Sequence, residues 1–276
     1  MSLYLTSLNS GSNGNCYYIG NEEEAVFIDA GISCRETERR MQRLGLSMDK
    51  VRAIFVSHEH TDHISGVPVL SKKYRLPVFI TDSTSGSSGM QISPERIRSF
   101  RAHNPVTIGN LSVTAFPKSH DASDPHSFVI SFNGINVGIF TDIGNNCRQV
   151  IHHFRQCHAA FLETNYDEEM LANGSYPVHL KKRISDGRGH LSNMQALELF
   201  QRYRPSYMRY LFLSHLSHEN NRPELVDDLF RRHAGDTTII VASRYSETPV
   251  YNIQPEGNEV FLLQANSFRP KQLSLF

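Results

Sequence analysis

Ser57-His58-Glu59-His60-Thr61-Asp62-His63 follows the apolar run Ala53-Ile54-Phe55-Val56. That run is short and rich in β-branched and aromatic side chains, the composition of a buried strand. Four metal-capable side chains (His58, His60, Asp62 and His63) then fall within six residues, where packing has no use for so many polar groups. In an extended segment His58 and His60 point the same way, because side chains alternate with period two. If the chain next turns into a helix, Asp62 and His63 diverge toward a neighbouring point. The stretch thus offers two ligands to each of two adjacent metals. Imidazole and carboxylate favour zinc, manganese or iron over calcium.

Working outward, the early chain consists of strands and turns. Strands are expected at 3–8 and 16–19, flanking the Gly- and Asn-rich loop Asn9-Ser10-Gly11-Ser12-Asn13-Gly14-Asn15, and at 25–29. Ser33 with Glu36 three residues on opens a helix to about Leu44. Strand patterns recur at 77–80, 111–116, 127–132 and 136–140, with Asn133-Gly134 as a hairpin turn. Later, helices near 147–156, 192–202 and 223–232 alternate with strands at 159–163, 210–213, 237–241 and 250–253. No linker or repeat divides the chain. Two packed sheets with helices outside, in one α/β domain, accommodate this mixture.

The 276 residues are 39% hydrophobic and 20% charged, which excludes a disordered chain. Lys+Arg and Asp+Glu both total 28, so any nucleic-acid surface must be a local patch. No apolar run approaches the ~20 residues that span a bilayer, and Met1-Ser2-Leu3-Tyr4 lacks a secretory pattern. Cys16, Cys34, Cys147 and Cys157 form no CxxC pair, and buried packing is their expected use. A cytoplasmic protein without a membrane partner is expected. What stands out is histidine, with 14 copies.

His58-x-His60-x-Asp62-His63 is the signature of the metallo-β-lactamase superfamily, and the chain resembles that superfamily at further points in order. Asp29 resembles its structural aspartate, His120 and His215 resemble later ligands, and Asp142 in Thr141-Asp142-Ile143-Gly144 resembles its bridging aspartate. The resemblance implies a four-layered αβ/βα sandwich and two divalent ions (Zn, Mn or Fe). The first would take His58, His60 and His120; the second Asp62, His63 and His215; Asp142 would be shared. Asp62 would also orient the attacking water.

Finer resemblance lies in Ser7 to Asn15, Glu163-Thr164-Asn165-Tyr166-Asp167, Gly189-His190-Leu191-Ser192-Asn193 and Leu213 to Asn221. These stretches are similar to the YycJ/WalJ/VicX branch, which implies 5′→3′ exonuclease action on DNA in repair or replication. By similarity to the related tRNA-maturing nucleases, His190, just before the N-cap Ser192, is the expected general acid. Lys181, Lys182, Arg183 and Arg188 lie just upstream and are the expected substrate-binding cations. A second basic group, Arg35, Arg39, Arg40 and Arg43, is better read as a solvated helix face.

The chain ends Gln272-Leu273-Ser274-Leu275-Phe276, where termini are usually polar. The pentapeptide resembles the segment by which bacterial polymerases and repair proteins dock on the DNA sliding clamp. The expected organisation is a hydrolase domain at 1–267 and a clamp-binding tail at 268–276. Two other readings compete. One is a small-molecule hydrolase of the glyoxalase or cyclic-phosphodiesterase kind; the other is a clamp-associated adaptor with structural metals.

Overall fold

The computed structural model describes residues 2–254. Its first half contains β1 (Leu3–Asn9), β2 (Cys16–Gly20), β3 (Ala25–Ile28), α1 (Cys34–Arg43), β4 (Val51–Phe55), α2 (Thr61–Ile64), α3 (Val67–Tyr74), β5 (Val78–Phe79), α4 (Asp82–Ser88) and β6 (Ile97–Arg98). Then follow β7 (Val106–Ile108), β8 (Leu111–Pro117), β9 (His126–Phe132), β10 (Ile135–Phe140), α5 (Arg148–Phe154), β11 (Ala159–Glu163), α6 (Glu168–Asn173) and α7 (Val178–Ser185). The last elements are α8 (Asn193–Tyr203), β12 (Tyr210–Ser214), α9 (Pro223–Arg231), β13 (Thr238–Val241) and β14 (Tyr251–Ile253).

Two seven-stranded sheets result, in the orders β14-β1-β2-β3-β4-β5-β6 and β13-β12-β11-β10-β9-β8-β7. Alternate side chains of each sheet meet the other sheet. Leu5, Tyr17, Ile28 and Phe55 from the first pack with Phe128, Ile139, Phe161 and Phe212 from the second. Tyr17 and Phe161 rings lie 4.9 Å apart across this interface. The outer face of the first sheet, with Phe27 and Ile54, is covered by Met41 of α1 and Leu70 of α3. Phe154, Phe200 and Phe230 of α5, α8 and α9 cover the outer face of the second. The layers are therefore αβ/βα, as the sequence predicts.

Local signals hold where they were strong. Ser33 accepts a hydrogen bond from the Glu36 N–H at the start of α1. Ser192 and Gln195 form a reciprocal capping box on α8, an arrangement worth about 1 kcal/mol. Asn133 and Gly134 both take positive φ between β9 and β10, as a two-residue hairpin turn demands. Helices α3, α4, α6 and α7 were not foreseen. In α4 the sequence Asp82-Ser83-Thr84-Ser85-Gly86-Ser87-Ser88 carries no apolar period, and it forms on a Thr81 cap.

Arg40 departs from the solvated-face expectation. It is buried, and its guanidinium donates to Leu8 O, Asn9 Oδ1, Tyr245 O and Glu36. It is a tie between α1 and the loops around it, because buried carbonyls need a donor that local pattern cannot reveal.

Parallel pairing of β3 through β6 and of β10 through β13 places the C-terminal ends of these strands along common edges. Crevices beyond carboxyl ends of strands are where open α/β sheets carry their sites. The boundary expected at 267 and the tail Gln272–Phe276 lie outside the described residues, as do any contacts of that tail.

Candidate metal centre

Each candidate ligand sits just past the end of a strand. His58, His60, Asp62 and His63 follow β4, His120 follows β8, Asp142 follows β10 and His215 follows β12. Asp29, Asp142 and His215 take left-handed backbone conformations, with φ of 57°, 52° and 56°. This region is uncommon for residues other than glycine and clusters at functional sites. Here it turns the chain sharply at three strand ends. Gly31 serves the same packing, since a Cβ there would come within 1.6 Å of Asp62 O.

Two sets of ligand atoms converge. His58 Nε2 lies 3.1 Å from His60 Nδ1, which lies 3.3 Å from His120 Nε2. A tetrahedral ion at about 2.0–2.1 Å from each nitrogen spaces them about 3.3 Å apart. The second set is Asp62, His63 and His215, with Asp62 Oδ2 at 3.4 Å from His63 Nε2 and 3.3 Å from His215 Nε2. Asp142 lies between the sets. Its Oδ1 is 3.5 Å from His215 Nε2 and 3.9 Å from His120 Nε2, and its Oδ2 is 3.0 Å from His63 Nε2. Asp142 Oδ2 is buried yet receives no properly directed hydrogen bond. A buried carboxylate oxygen without a donor is costly, and a bound cation satisfies it. The residues therefore fit a dinuclear centre.

The other ring nitrogens are held from behind. His63 Nδ1 is 2.7 Å from Asp29 Oδ2, which also accepts from the Ser57 hydroxyl at 2.8 Å. With its proton given to Asp29, Ser57 Oγ accepts from His58 Nδ1 at 2.8 Å. His120 Nδ1 donates to Gly189 O at 2.9 Å. His215 Nδ1 is 3.2 Å from Glu163 Oε1. Each contact places the proton on Nδ1 and leaves the Nε2 lone pair facing the centre, the arrangement that orients histidine ligands.

Burial pushes His58 well below the usual imidazole value and His120 down to about 4, so both offer lone pairs. For His63 and His215 burial works the same way but is outweighed by Asp142 and its neighbours, which lift His63 well up and His215 to about 10. Burial likewise opposes charge on Asp142, yet His215 and His63 hold its carboxyl well below the usual range. Such a cluster trades protons for cations.

Ser57, Asn15 and Glu163 had no individual role in the sequence reading. Asn15 Nδ2 donates to Asp62 Oδ2 at 3.1 Å, which fixes that carboxylate. Glu163 is fully buried at the end of β11. Its Oε1 faces His190 Nδ1 at 2.7 Å, and its Oε2 accepts from the Ile143 and Leu191 N–H groups at 2.7 and 3.2 Å. With both oxygens engaged, Glu163 is a support for His190 and His215, although it lies close enough to ligate. Its sequence signals are an acidic residue closing an apolar strand and its place in the run Glu163-Thr164-Asn165-Tyr166-Asp167 that carries the resemblance, neither of which indicates which histidines it supports.

The centre forms the floor of a cleft of about 520 Å³. His190 and Arg183 line it, and the Arg183 Nε donates to Asp121 at 2.5 Å. Of the other expected substrate cations, Lys181 donates to Ala172 O, while Lys182 and Arg188 are exposed. The structure thus brings His58, His60, Asp62, His63, His120, Asp142, His190 and His215 together and adds Arg183 at the rim.

A family profile described as beta-lactamase superfamily domain matches residues 24–215. Exodeoxyribonuclease YycJ of Bacillus anthracis is 33% identical over 228 residues, covering 82% of this chain and 86% of the relative. Exodeoxyribonuclease WalJ of Streptococcus pneumoniae is 30% identical over 223 residues, covering 79% and 83%. Among solved structures, the metallo-β-lactamase fold protein YhfI from Bacillus subtilis superposes with a TM-score of 0.72 at 14% identity, over 91% of this chain and 100% of that one. No helix among the described residues is long and apolar enough to cross a membrane. With the profile spanning most of the fold and two relatives matched over more than four-fifths of their length, the chain belongs to the metallo-β-lactamase superfamily, in the branch of YycJ and WalJ.

Proposed function

We propose that this chain is a metal-dependent exodeoxyribonuclease. The observation that carries the reading is the two-set convergence around Asp142 at the floor of an open cleft, in a chain a third identical to a named exodeoxyribonuclease. His58, His60 and His120 would hold one ion, and Asp62, His63 and His215 the other, with Asp142 shared. Two divalent ions so placed, zinc, manganese or iron, supply the acidified water and the charge neutralisation of an in-line phosphodiester displacement.

The chain's own groups do the rest. Asp62, steadied by Asn15, orients the attacking water. His190, with Nδ1 committed to Glu163, has Nε2 left to deliver a proton to the departing oxygen. Arg183 steadies the non-reacting phosphate oxygens at the rim, with Lys181, Lys182 and Arg188 as an outer field along the strand. Digestion runs 5′→3′ on DNA during repair or replication in the cytoplasm, and Gln272-Leu273-Ser274-Leu275-Phe276 docks on the sliding clamp. Support for the direction and the docking comes from the resemblance of the sequence.

Linear DNA labelled separately at each end, incubated with metal-loaded protein and with Asp142→Ala, tests the reading. The expected result is stepwise release of the 5′ label, lost in the variant. Intact DNA with every divalent metal, alongside turnover of a small ester, would transfer the assignment to a small-molecule hydrolase.

A further inference from the structure

Helix α7 has no buried residue, so packing in the core does not explain its apolar side chains. Leu180 and Ile184 are four apart in the helix and fall on one side of it, and Tyr176 joins them from the bend that precedes the N-cap Pro177. All three are half-buried and line the cleft above the metal centre. The helix is nevertheless held firmly. Arg183 ties it to Asp121, Lys181 to Ala172 O, and the His190 N–H donates to Ile184 O at 2.8 Å. Gly189 packs so closely under it that a Cβ would approach Arg183 O to 2.1 Å. One cleft thus combines a floor of candidate metal ligands, an Arg183 rim and a wall bearing an aromatic ring and two aliphatic side chains.

A nucleotide is the ligand that presents a phosphate and a flat apolar face side by side. Resting on the nuclease reading above, we infer that Tyr176, Leu180 and Ile184 form a nucleobase subsite, on which the base next to the scissile phosphate stacks. Every base has a π-face, so the subsite is indifferent to sequence. It does require a base freed from its partner strand, because a paired base presents its faces to its own stack. The cleft therefore selects unpaired or frayed DNA ends.

The test compares metal-loaded full-length protein on single-stranded DNA with an intact end and on the same strand with abasic sites at the terminal and penultimate positions. Base–aromatic stacking predicts that wild type loses about tenfold in kcat/KM on the abasic strand. Tyr176→Ala should lose a similar factor on the intact strand and nothing more on the abasic one, and Tyr176→Phe should restore it. Binding is read separately with metal-loaded protein on a nuclease-resistant phosphorothioate oligothymidine, where 2-aminopurine at the end should be quenched by wild type and by Tyr176→Phe but not by Tyr176→Ala. Equal cleavage of intact and abasic strands overturns the subsite and leaves the nuclease reading standing. If neither strand is cut, the nuclease reading falls, and the 2-aminopurine signal decides the subsite alone. Quenching that depends on Tyr176 supports it; no quenching overturns it.

Discussion

At the residue scale the site depends on carboxylates that never need to touch substrate. Glu163 accepts from His190 through Oε1 and faces His215 with the same oxygen, so one buried charge orients both an expected metal ligand and the expected general acid. Replacing it with glutamine keeps the shape and removes the charge. Glu163→Gln is expected to lower metal affinity about 10–100-fold, the usual cost of losing a partner behind a ligating histidine, measured by competition with a chromophoric chelator. An unchanged metal affinity would remove the His215 role and leave Glu163 only its contact with His190. His190→Ala is expected to reduce kcat by at least ~100-fold, the lower end of general acid–base effects. Exposed His233→Ala is the control, and equal rates in the two variants would remove His190 from the mechanism.

At the element scale, α1 and α3 are joined through Glu38. Its carboxylate accepts from Lys73 Nζ at 2.6 Å and from the Tyr74 hydroxyl at 2.7 Å. The Lys73 contact, with Tyr74, draws the Glu38 carboxyl from 4.5 down to about 2. A depressed carboxyl stabilises the fold fully above its unfolded value and loses that contribution as pH falls through its folded value. Glu38→Gln is therefore expected to lower Tm at pH 7, by an amount that shrinks between about pH 4.5 and pH 2. Because the pair is partly exposed, the difference should be small and salt-sensitive. A Tm difference that stays constant with pH would show that Glu38 acts through helix packing.

For the whole molecule, the metal centre is a clasp between the two sheets. His58 and His63 come from the first sheet, while His120, Asp142 and His215 come from the second. Ions bound there engage the folded chain and not the unfolded one. At a hundredfold excess over Kd one ion adds about 2.7 kcal/mol, so EDTA is expected to lower Tm by about 5–10 °C in a chain of this size. Calorimetry of wild type and Asp142→Ala, each with and without EDTA, measures it; an equal response in both would place the metals elsewhere. Removing residues 272–276 is expected to abolish clamp pull-down and leave digestion of short DNA intact. Lost activity or solubility in that variant would mean that the tail covers its own domain.

Much of this was legible in the chain alone, because the decisive signals are local. Four ligands after an apolar strand, the Asn133-Gly134 turn and the caps at Ser33 and Ser192 each act within a few residues. Periodicity and hydrogen-bonding chemistry therefore determine them before any long-range contact exists. The rest required distant strands to pair side by side. Asp29 reaches Ser57 and His63 across 28 and 34 residues, and Glu163 reaches His215 across 52. Arg40 finds carbonyls at both ends of the described chain. The wall of Tyr176, Leu180 and Ile184 gains meaning only beside a metal centre assembled from other strands. Such partnerships are decided by which strand ends share an edge, a property of topology that no local pattern of side chains carries.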